Sequence, residues 1–544
     1  MSQRTDFGVL YGQKTTDENS LLIYSSYEDA KASPKKGDFI VLTPKNEDGV
    51  KFLARVEAEI YDEDPIFRSQ DKTLVAVHYA RIAERELSER DKQKMFSYTY
   101  KVQMLGTFTD KGTSFQFTTA VRKLPVVSYH ARHLNKREVD NIINGQDTSG
   151  VPIGRLCIGE DIHFDAGEIY FNVNRLRSRR TMVFAQSGFG KTNLVKVLLY
   201  HAVKDNSFGK LIFDLNGEYI LNSEKTIGLG GIDDSNIRNN LVVYSDKKIS
   251  DEQKRLINFG GKVQLNMHKH LSVSDIMNFS AGFSEVMKSF LLYLDEDGVN
   301  NFVSKIDDYV NKPEYLHRDY SDFWTLTKKA EPDASAKKTI SAIRKRIRHL
   351  IDEGNLHNTQ SKLIEDVFEY LKQGKTVIID LSLKDNMDAA IISTILVRKL
   401  FEHNKLYFTS DDLENVIETV IFVEEAQNVL SDELVKTNAN PFVRCAKEGR
   451  KFGLGMVAIT QRPSAISDEI RTQAENFFAL HMGNTDDIKA LIKSNIHYDG
   501  VISSFIQRET IPGNLYMVTS DKSFVVPIRV HEFEKLINHR KQSR

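Results

Sequence analysis

Cysteine, proline and tryptophan are scarce in this chain, at 2, 11 and 1 residues among 544. Two cysteines, Cys157 and Cys445, cannot build a disulfide framework or a cysteine-rich zinc site, and they suit a reducing compartment. With 11 prolines and 30 glycines the chain is neither collagen-like nor low in complexity. The one tryptophan, Trp324, offers no stacking platform for bases. An excess of one charge is missing too. Against 75 acidic residues stand 74 basic ones, so no overall field draws the molecule to a polyanion, and any nucleic-acid contact must come from local clusters. No run of about 18 apolar residues occurs, which argues against a membrane-spanning helix. The opening Met-Ser-Gln-Arg-Thr-Asp carries no secretory segment. The expectation is a cytoplasmic protein without a membrane partner.

What is present is a globular composition, 40% hydrophobic and 27% charged. At about 100–200 residues per domain the length suggests roughly three or four domains. Residues 1–134 read as a small β-barrel. Asp6-Phe-Gly-Val-Leu-Tyr, Gly37-Asp-Phe-Ile-Val-Leu, Phe52 to Ile60, Tyr98 to Gly106 and Phe115-Gln-Phe-Thr-Thr-Ala-Val are β-branched and aromatic with partial alternation. The charged stretch from Ala83 to Lys94 reads as a solvated interruption, and Asn135 to Gly150 as a linker. From residue 150 strands alternate with helices, the pattern of a parallel sheet. Thr181-Met-Val-Phe-Ala, Lys210-Leu-Ile-Phe-Asp, Thr376-Val-Ile-Ile-Asp, Thr419-Val-Ile-Phe-Val-Glu and Gly455-Met-Val-Ala-Ile-Thr are buried strands with chemistry at their carboxyl ends. Across 250–373 helical spacing takes over, with Ile340, Ile343, Ile347, Leu350 and Ile351 on one stripe. The expected segments are a core in two parts, 150–249 and 374–520, a helical insertion at 250–373 and a C-terminal extension at 521–544.

Ala185-Gln-Ser-Gly-Phe-Gly-Lys-Thr follows a strand and opens an amphipathic run, the context a phosphate-cradling loop requires. Gly188 and Gly190 let backbone N–H groups curl around phosphates, Lys191 reaches the β- and γ-phosphates, and Thr192 offers its hydroxyl to Mg²⁺. Ser187, Phe189 and Asn193 complete the expected nucleotide-contacting stretch. Ile421-Phe-Val-Glu-Glu-Ala-Gln supplies an acidic pair at another strand end. Glu424 is expected to hold the metal through its water shell, and Glu425 to polarise the attacking water. Gln461, in Thr460-Gln-Arg-Pro after the strand 455–459, can sense the γ-phosphate beside that water. No Asn-Lys-x-Asp guanine reader and no Ser-Gly-Gly transporter signature occurs, so GTPase and transporter ATPase readings lose their usual support.

Arg179-Arg-Thr-Met-Val-Phe-Ala-Gln-Ser-Gly-Phe-Gly-Lys-Thr, Asp214-Leu-Asn-Gly-Glu-Tyr, Val423-Glu-Glu-Ala-Gln-Asn, Lys447-Glu-Gly-Arg-Lys-Phe-Gly and Thr460-Gln-Arg-Pro, in this order, resemble the HerA family of hexameric DNA-translocating ATPases within the HerA/FtsK superfamily. The resemblance spans nearly the whole chain. It implies an N-terminal HAS barrel, a RecA-like P-loop core interrupted by a helical bundle, and a C-terminal extension. It also assigns Asp214 and Glu218 to the nucleotide site, makes Arg450 an arginine finger reaching a neighbour's γ-phosphate, and brings Arg179, or Arg180 beside it, near the nucleotide. The acidic motif of the family more often ends in His where this chain has Gln427.

The expected function is therefore a ring, a homo-hexamer, that couples hydrolysis of ATP with Mg²⁺ to movement along double-stranded DNA. The resemblance implies a partner docked on the barrel, either a NurA-like nuclease in DNA end processing or an effector such as a sirtuin-like NAD hydrolase in bacterial anti-phage defence. A nucleotide-regulated assembly scaffold and a protein-remodelling ATPase are the alternatives. Lys337, Lys338, Arg344, Lys345, Arg346 and Arg348 form the densest local basic cluster, read equally as a DNA surface or a solvated helix face.

Overall fold

The computed structural model describes residues 6–13, 20–26, 34–45, 49–63, 96–112, 114–145, 150–158, 161–162, 167–220, 227–278, 283–296, 303, 306, 332–437 and 440–542. The charged stretch 83–94, Trp324 and the side chain of Lys337 lie outside these residues. The chain divides into two compact units. One comprises Met1–Asn172, Ala185–Gly190 and Asn476–His531, and the other Val173–Phe184, Lys191–Glu475 and Glu532–Arg544.

The first unit begins with a closed barrel of β1 (Asp6–Gln13), β2 (Ser20–Ser26), β3 (Phe39–Thr43), β4 (Lys51–Glu63), β5 (Phe96–Asp110), β6 (Phe115–Thr118) and β7 (His130–His133). The order β2-β1-β7-β3-β4-β5 closes because β2 also pairs with β5, and β6 is added beyond β5. Alternate residues point inward, so Phe7, Leu21, Ile23, Ile40, Leu42, Phe52, Ala54, Tyr100 and Val102 fill the interior. β2, with the run Leu-Leu-Ile-Tyr, and β7 are absent from the sequence reading, and β7 carries no strong strand signal. His-Ala-Arg-His has one apolar residue, and its place is fixed by ladders to β1 and β3 on either side. The expected linker 135–150 contains regular structure. Asn135 and Glu138 form a reciprocal capping box for the turn Lys136–Glu138, and a π-helical turn, Val139–Ile143, buries Val139, Ile142 and Ile143. β8 (Val151–Ile158) then pairs antiparallel with β9 (Asp161–Ile162) and β10 (Glu168–Phe171).

The second unit is built on seven parallel strands in the order β11-β17-β16-β12-β15-β13-β14. They are β11 (Arg180–Phe184), β12 (Gly209–Asp214), β13 (Leu241–Tyr244), β14 (Asn258–Gly261), β15 (Thr376–Asp380), β16 (Thr419–Val423) and β17 (Leu454–Thr460). The register sets Phe184 beside Thr460, Val423 beside Ala458, and Asp214 beside Asp380, so the polar residues of several strands gather at one edge. β14 is a difference from the sequence reading, which finds no strand signal between Ser250 and Gln373. Asn-Phe-Gly-Gly lacks a β-branched run because β14 is an exposed edge that needs no buried face. β18 (Asn476–Ala479), β19 (Asn514–Val518) and β20 (Val526–Val530) return to the first unit as an antiparallel ladder, with β20 joining β8. Both cysteines are buried, and neither is in a disulfide. No helix among the described residues is long and apolar enough to cross a membrane.

Four helices of the second unit matter most: α1 (Lys191–Ala202), α2 (Pro332–Ile351), α3 (Leu363–Lys372) and α4 (Asn386–Thr409). The expected stripe on α2 is buried at all five positions. Its basic face is partly neutralised within the chain, since Arg344 and Arg348 both bond Asp352, at 2.7 and 2.8 Å. That weakens the cluster as a nucleic-acid surface. The insertion is tied to α4 by a buried fork: Arg398 donates to both oxygens of Asp275 at 2.8 and 2.7 Å and to the His270 carbonyl at 2.7 Å. Asp275→Ala leaves a buried guanidinium with only the half-exposed Glu402 as acidic partner, so urea unfolding should reveal a loss of about 3 kcal/mol. An unchanged midpoint contradicts this role.

Candidate functional site

β11 leads into the loop Ala185–Gly190, and α1 starts at Lys191. Gly188 and Gly190 have φ of +85° and +95°, the left-handed region a curled loop needs and side chains avoid. Gly190 is also confined, since a Cβ there would lie 3.1 Å from the Gly513 nitrogen. Within the first unit the loop is pinned from one side. The Gln186 N–H donates to the His481 carbonyl at 2.8 Å, the Phe189 carbonyl accepts from Gly513 at 3.1 Å, and the Phe189 and His481 rings lie 4.1 Å apart. Gln186, Ser187 and Gly188 are exposed. The first turn of a helix presents unpaired N–H groups, so this geometry suits an anion. Asn193, expected at the nucleotide, spends its side-chain oxygen on the Phe533 N–H at 2.8 Å.

In the second unit the acidic residues assemble at the carboxyl edge of the sheet. Asp214 ends β12 and is buried. Its carboxylate accepts from the N–H groups of Gly217, Glu218 and Tyr219 at 2.7, 3.1 and 3.0 Å. Asp214 therefore shapes the Asp-Leu-Asn-Gly-Glu-Tyr turn and is not itself presented outward. Burial pushes its carboxyl up to about 6, with Asp380 adding to the rise and the three donors opposing it. The turn delivers two side chains. Glu218 accepts from the Thr192 hydroxyl at 2.8 Å, and Tyr219 donates to Glu424 Oε1 at 2.7 Å.

Glu424 is 6% exposed, and its Oε2 has no hydrogen-bond partner among the described residues. Burial pushes its carboxyl up to about 7, and the neighbouring Asp214 and Glu218 push the same way. Glu425 behaves oppositely. It has left-handed backbone angles, φ 47° and ψ 45°, uncommon for a residue with a side chain. Its Oε1 lies 3.3 Å from Lys191 Nζ and accepts from Gln461 Nε2 at 3.2 Å, while Oε2 accepts from Gln427 Nε2 at 2.7 Å. Burial alone would raise its carboxyl, but the amide donors and the Lys191 charge hold it below the ordinary value. The acidic pair thus holds one carboxyl biased toward the neutral form beside one kept ionised.

The set fits a divalent cation. Glu424 carries a buried oxygen without a donor among the described residues, Asp214 and Glu218 add to the rise of its carboxyl, and the Thr192 hydroxyl is directed at Glu218. Thr192 and Glu424 are the residues placed to hold it, with Glu218 next to them.

The arginines divide sharply. Arg450 sits on the turn Gly449–Phe452 with its side chain 68% exposed, and among the described residues its one polar side-chain contact is a long 3.5 Å approach to Glu475. Arg180 is fixed within the chain by the Ala446 carbonyl at 2.9 Å and Gln473 at 2.6 Å. Arg179 is half-buried, and its carbonyl accepts from Met456. Tyr219, Gln427 and Thr460 touch the candidate residues or one another without having been candidates themselves, although Gln427 stands where the family motif more often has His. Their signal is positional: each lies within two residues of a candidate acid or of Gln461.

Residues 151–400 match the protein family described as the central domain of helicase HerA. A probable helicase of Methanocaldococcus jannaschii is 22% identical over 481 residues, covering 88% of this chain and 81% of that relative. The DNA double-strand break repair helicase HerA of Pyrococcus furiosus is 26% identical over 390 residues, covering 65% of this chain and 64% of that protein. This chain thus spans less than two thirds of that relative's length. Among solved structures, the bacterial conjugative coupling protein TrwB is 10% identical, with a TM-score of 0.43 over 73% of this chain and 92% of that one.

Tyr219→Phe leaves Glu424 without its one hydrogen bond. The buried carboxyl should then cost about 1–3 kcal/mol, read as a lower unfolding midpoint in metal-free, nucleotide-free buffer. A midpoint equal to that of the parent protein contradicts the positioning of Glu424 by Tyr219.

Proposed function

We propose that this chain, a distant homologue of the archaeal HerA helicases whose residues 151–400 carry the central domain of that family, is a ring-forming ATPase that moves double-stranded DNA. The observation that carries the reading is the 3.3 Å approach of Lys191 to Glu425, because it sets the lysine of a phosphate loop against the base of an acidic strand end. ATP is the substrate. Its phosphates take the first turn of α1 and the loop before it, and Lys191 turns from Glu425 to the β- and γ-phosphates. Glu425, kept ionised, accepts the proton of the attacking water, while Gln461 orients that water and senses the γ-phosphate. Thr192 and, through a water shell, Glu424 would hold Mg²⁺, which would supply charge neutralisation at the phosphate oxygens. Glu218 and the turn shaped by Asp214 keep Thr192 and Glu424 in place.

The ring is a hexamer in this reading. Arg450 supports it, since an exposed guanidinium with one long contact is available to a neighbour's γ-phosphate, and Arg179 adds a second positive group near the nucleotide. DNA passes through the ring, and a partner nuclease or effector docks on the barrel formed by β1–β7. That partner, NurA-like or a sirtuin-like NAD hydrolase, brings the chemistry on DNA or NAD, either in end processing or in anti-phage defence in the cytoplasm.

Lys191→Ala should abolish turnover, and Glu425→Gln should retain ATP binding while hydrolysis falls by orders of magnitude. Arg450→Ala should bind ATP normally and lose up to about 10³–10⁵ in rate. Mixing Arg450→Ala with Glu425→Gln protein should restore part of the activity, because some interfaces then pair an intact base with an intact finger. A mixture that stays inactive after verified subunit exchange, or ATPase activity in a particle that light scattering finds monomeric, contradicts the shared site.

A further inference from the structure

Gln427 lies on the single turn Ala426–Asn428, immediately after the left-handed Glu425. That backbone reversal brings the Gln427 amide back onto the carboxylate of Glu425, and the amide is used at both ends. Its Nε2 donates to Glu425 Oε2 at 2.7 Å, and its Oε1 accepts from the Thr460 hydroxyl at 2.6 Å. Thr460 is fully buried at the end of β17, and its hydroxyl accepts from the Arg462 N–H at 3.0 Å. A backbone N–H can only donate and an ionised carboxylate can only accept. Every bond from Arg462 through Thr460 and Gln427 to Glu425 therefore has a fixed direction, and so does the amide.

The two oxygens of Glu425 are held by different kinds of partner. On Oε1 sit Lys191 and Gln461, the two residues that the proposed function assigns to phosphate and to the attacking water. On Oε2 sits Gln427, whose other amide atom is anchored in the sheet. We propose that Gln427 is a positioning residue for hydrolysis: it retains Glu425 through Oε2, couples its orientation to the Thr460-Gln461-Arg462 turn, and leaves Oε1 as the oxygen that receives the proton. In that step the water oxygen bonds to the γ-phosphorus, the bridging P–O bond breaks with its electron pair leaving on ADP, and the water proton passes to Oε1. The inference rests on the proposed ATPase reading of this site and adds to it the link between a strand end and the base.

The test uses the full-length protein and measures ATP turnover beside binding of a fluorescent ATP analogue. Gln427→Leu keeps bulk and removes both hydrogen bonds. It should lower kcat roughly 10- to 100-fold, the scale of one hydrogen bond to a charged group, with KM and analogue affinity within about twofold of the parent. Gln427→His retains one donor and one acceptor and should stay within several-fold of the parent, about fivefold. Thr460→Val should also lower kcat, and Gln427→Leu with Thr460→Val should be no slower than Gln427→Leu alone, since both cut one chain. Losses that multiply in the double variant, or nucleotide affinity that falls in step with turnover, overturn the role. If Gln427→Leu fails to fold, the kcat of Thr460→Val and of Gln427→His decides it. Normal turnover by Gln427→Leu while Lys191→Ala and Glu425→Gln are inactive defeats the positioning role. Normal turnover by all three defeats the ATPase site itself.

Discussion

Four carboxylates, Asp214, Glu218, Glu424 and Glu425, gather at the carboxyl edge of a parallel sheet with Lys191 as the cation in direct contact. Holding that much negative charge away from water is unfavourable, and the local structure is the response to it. Each acid is handled by a different device. Asp214 is satisfied by three backbone N–H groups, Glu218 by the Thr192 hydroxyl, Glu424 by Tyr219 on one oxygen, and Glu425 by a lysine and two amides. What is left over is one bare oxygen on Glu424 and an excess of acid that a divalent cation and a phosphate-bound lysine would rebalance.

Much of this was legible in the sequence. The five buried strands β11, β12, β15, β16 and β17 lie within a residue of where apolar runs ending in polar residues set them, because a strand covered on both faces must be apolar almost throughout. The stripe on α2 was readable for the same reason. Other elements were not, and the failures are physical. β7 and β14 are held by ladder hydrogen bonds, to which every residue but proline contributes alike, so His-Ala-Arg-His and Asn-Phe-Gly-Gly give little hint of strand. The turn at 135–143 did carry its signal, an Asn three residues before a Glu and then Val139, Ile142 and Ile143, and the surrounding polar residues masked it.

Within the site, residue types were easier to foresee than their division of labour. The loop, the acidic pair and Gln461 followed from motif spacing, but Asp214 turned out to organise a turn and Asn193 to anchor Phe533. Tyr219, Gln427 and Thr460 act through partners far away in sequence, Glu424 and the end of β17, and only the fold brings those together. The barrel and the parallel sheet supply two different services in the proposed function, a docking surface and a nucleotide-driven core.

The central claim is that hydrolysis at this edge is coupled to duplex DNA. The measurement that addresses it most directly is the ATPase rate of the purified protein with and without linear double-stranded DNA, run with and without the product of an adjacent reading frame. Coupled translocation requires turnover that rises with DNA and follows its length. A rate indifferent to DNA in every combination, with ATP still bound, contradicts the motor and leaves a nucleotide-regulated scaffold.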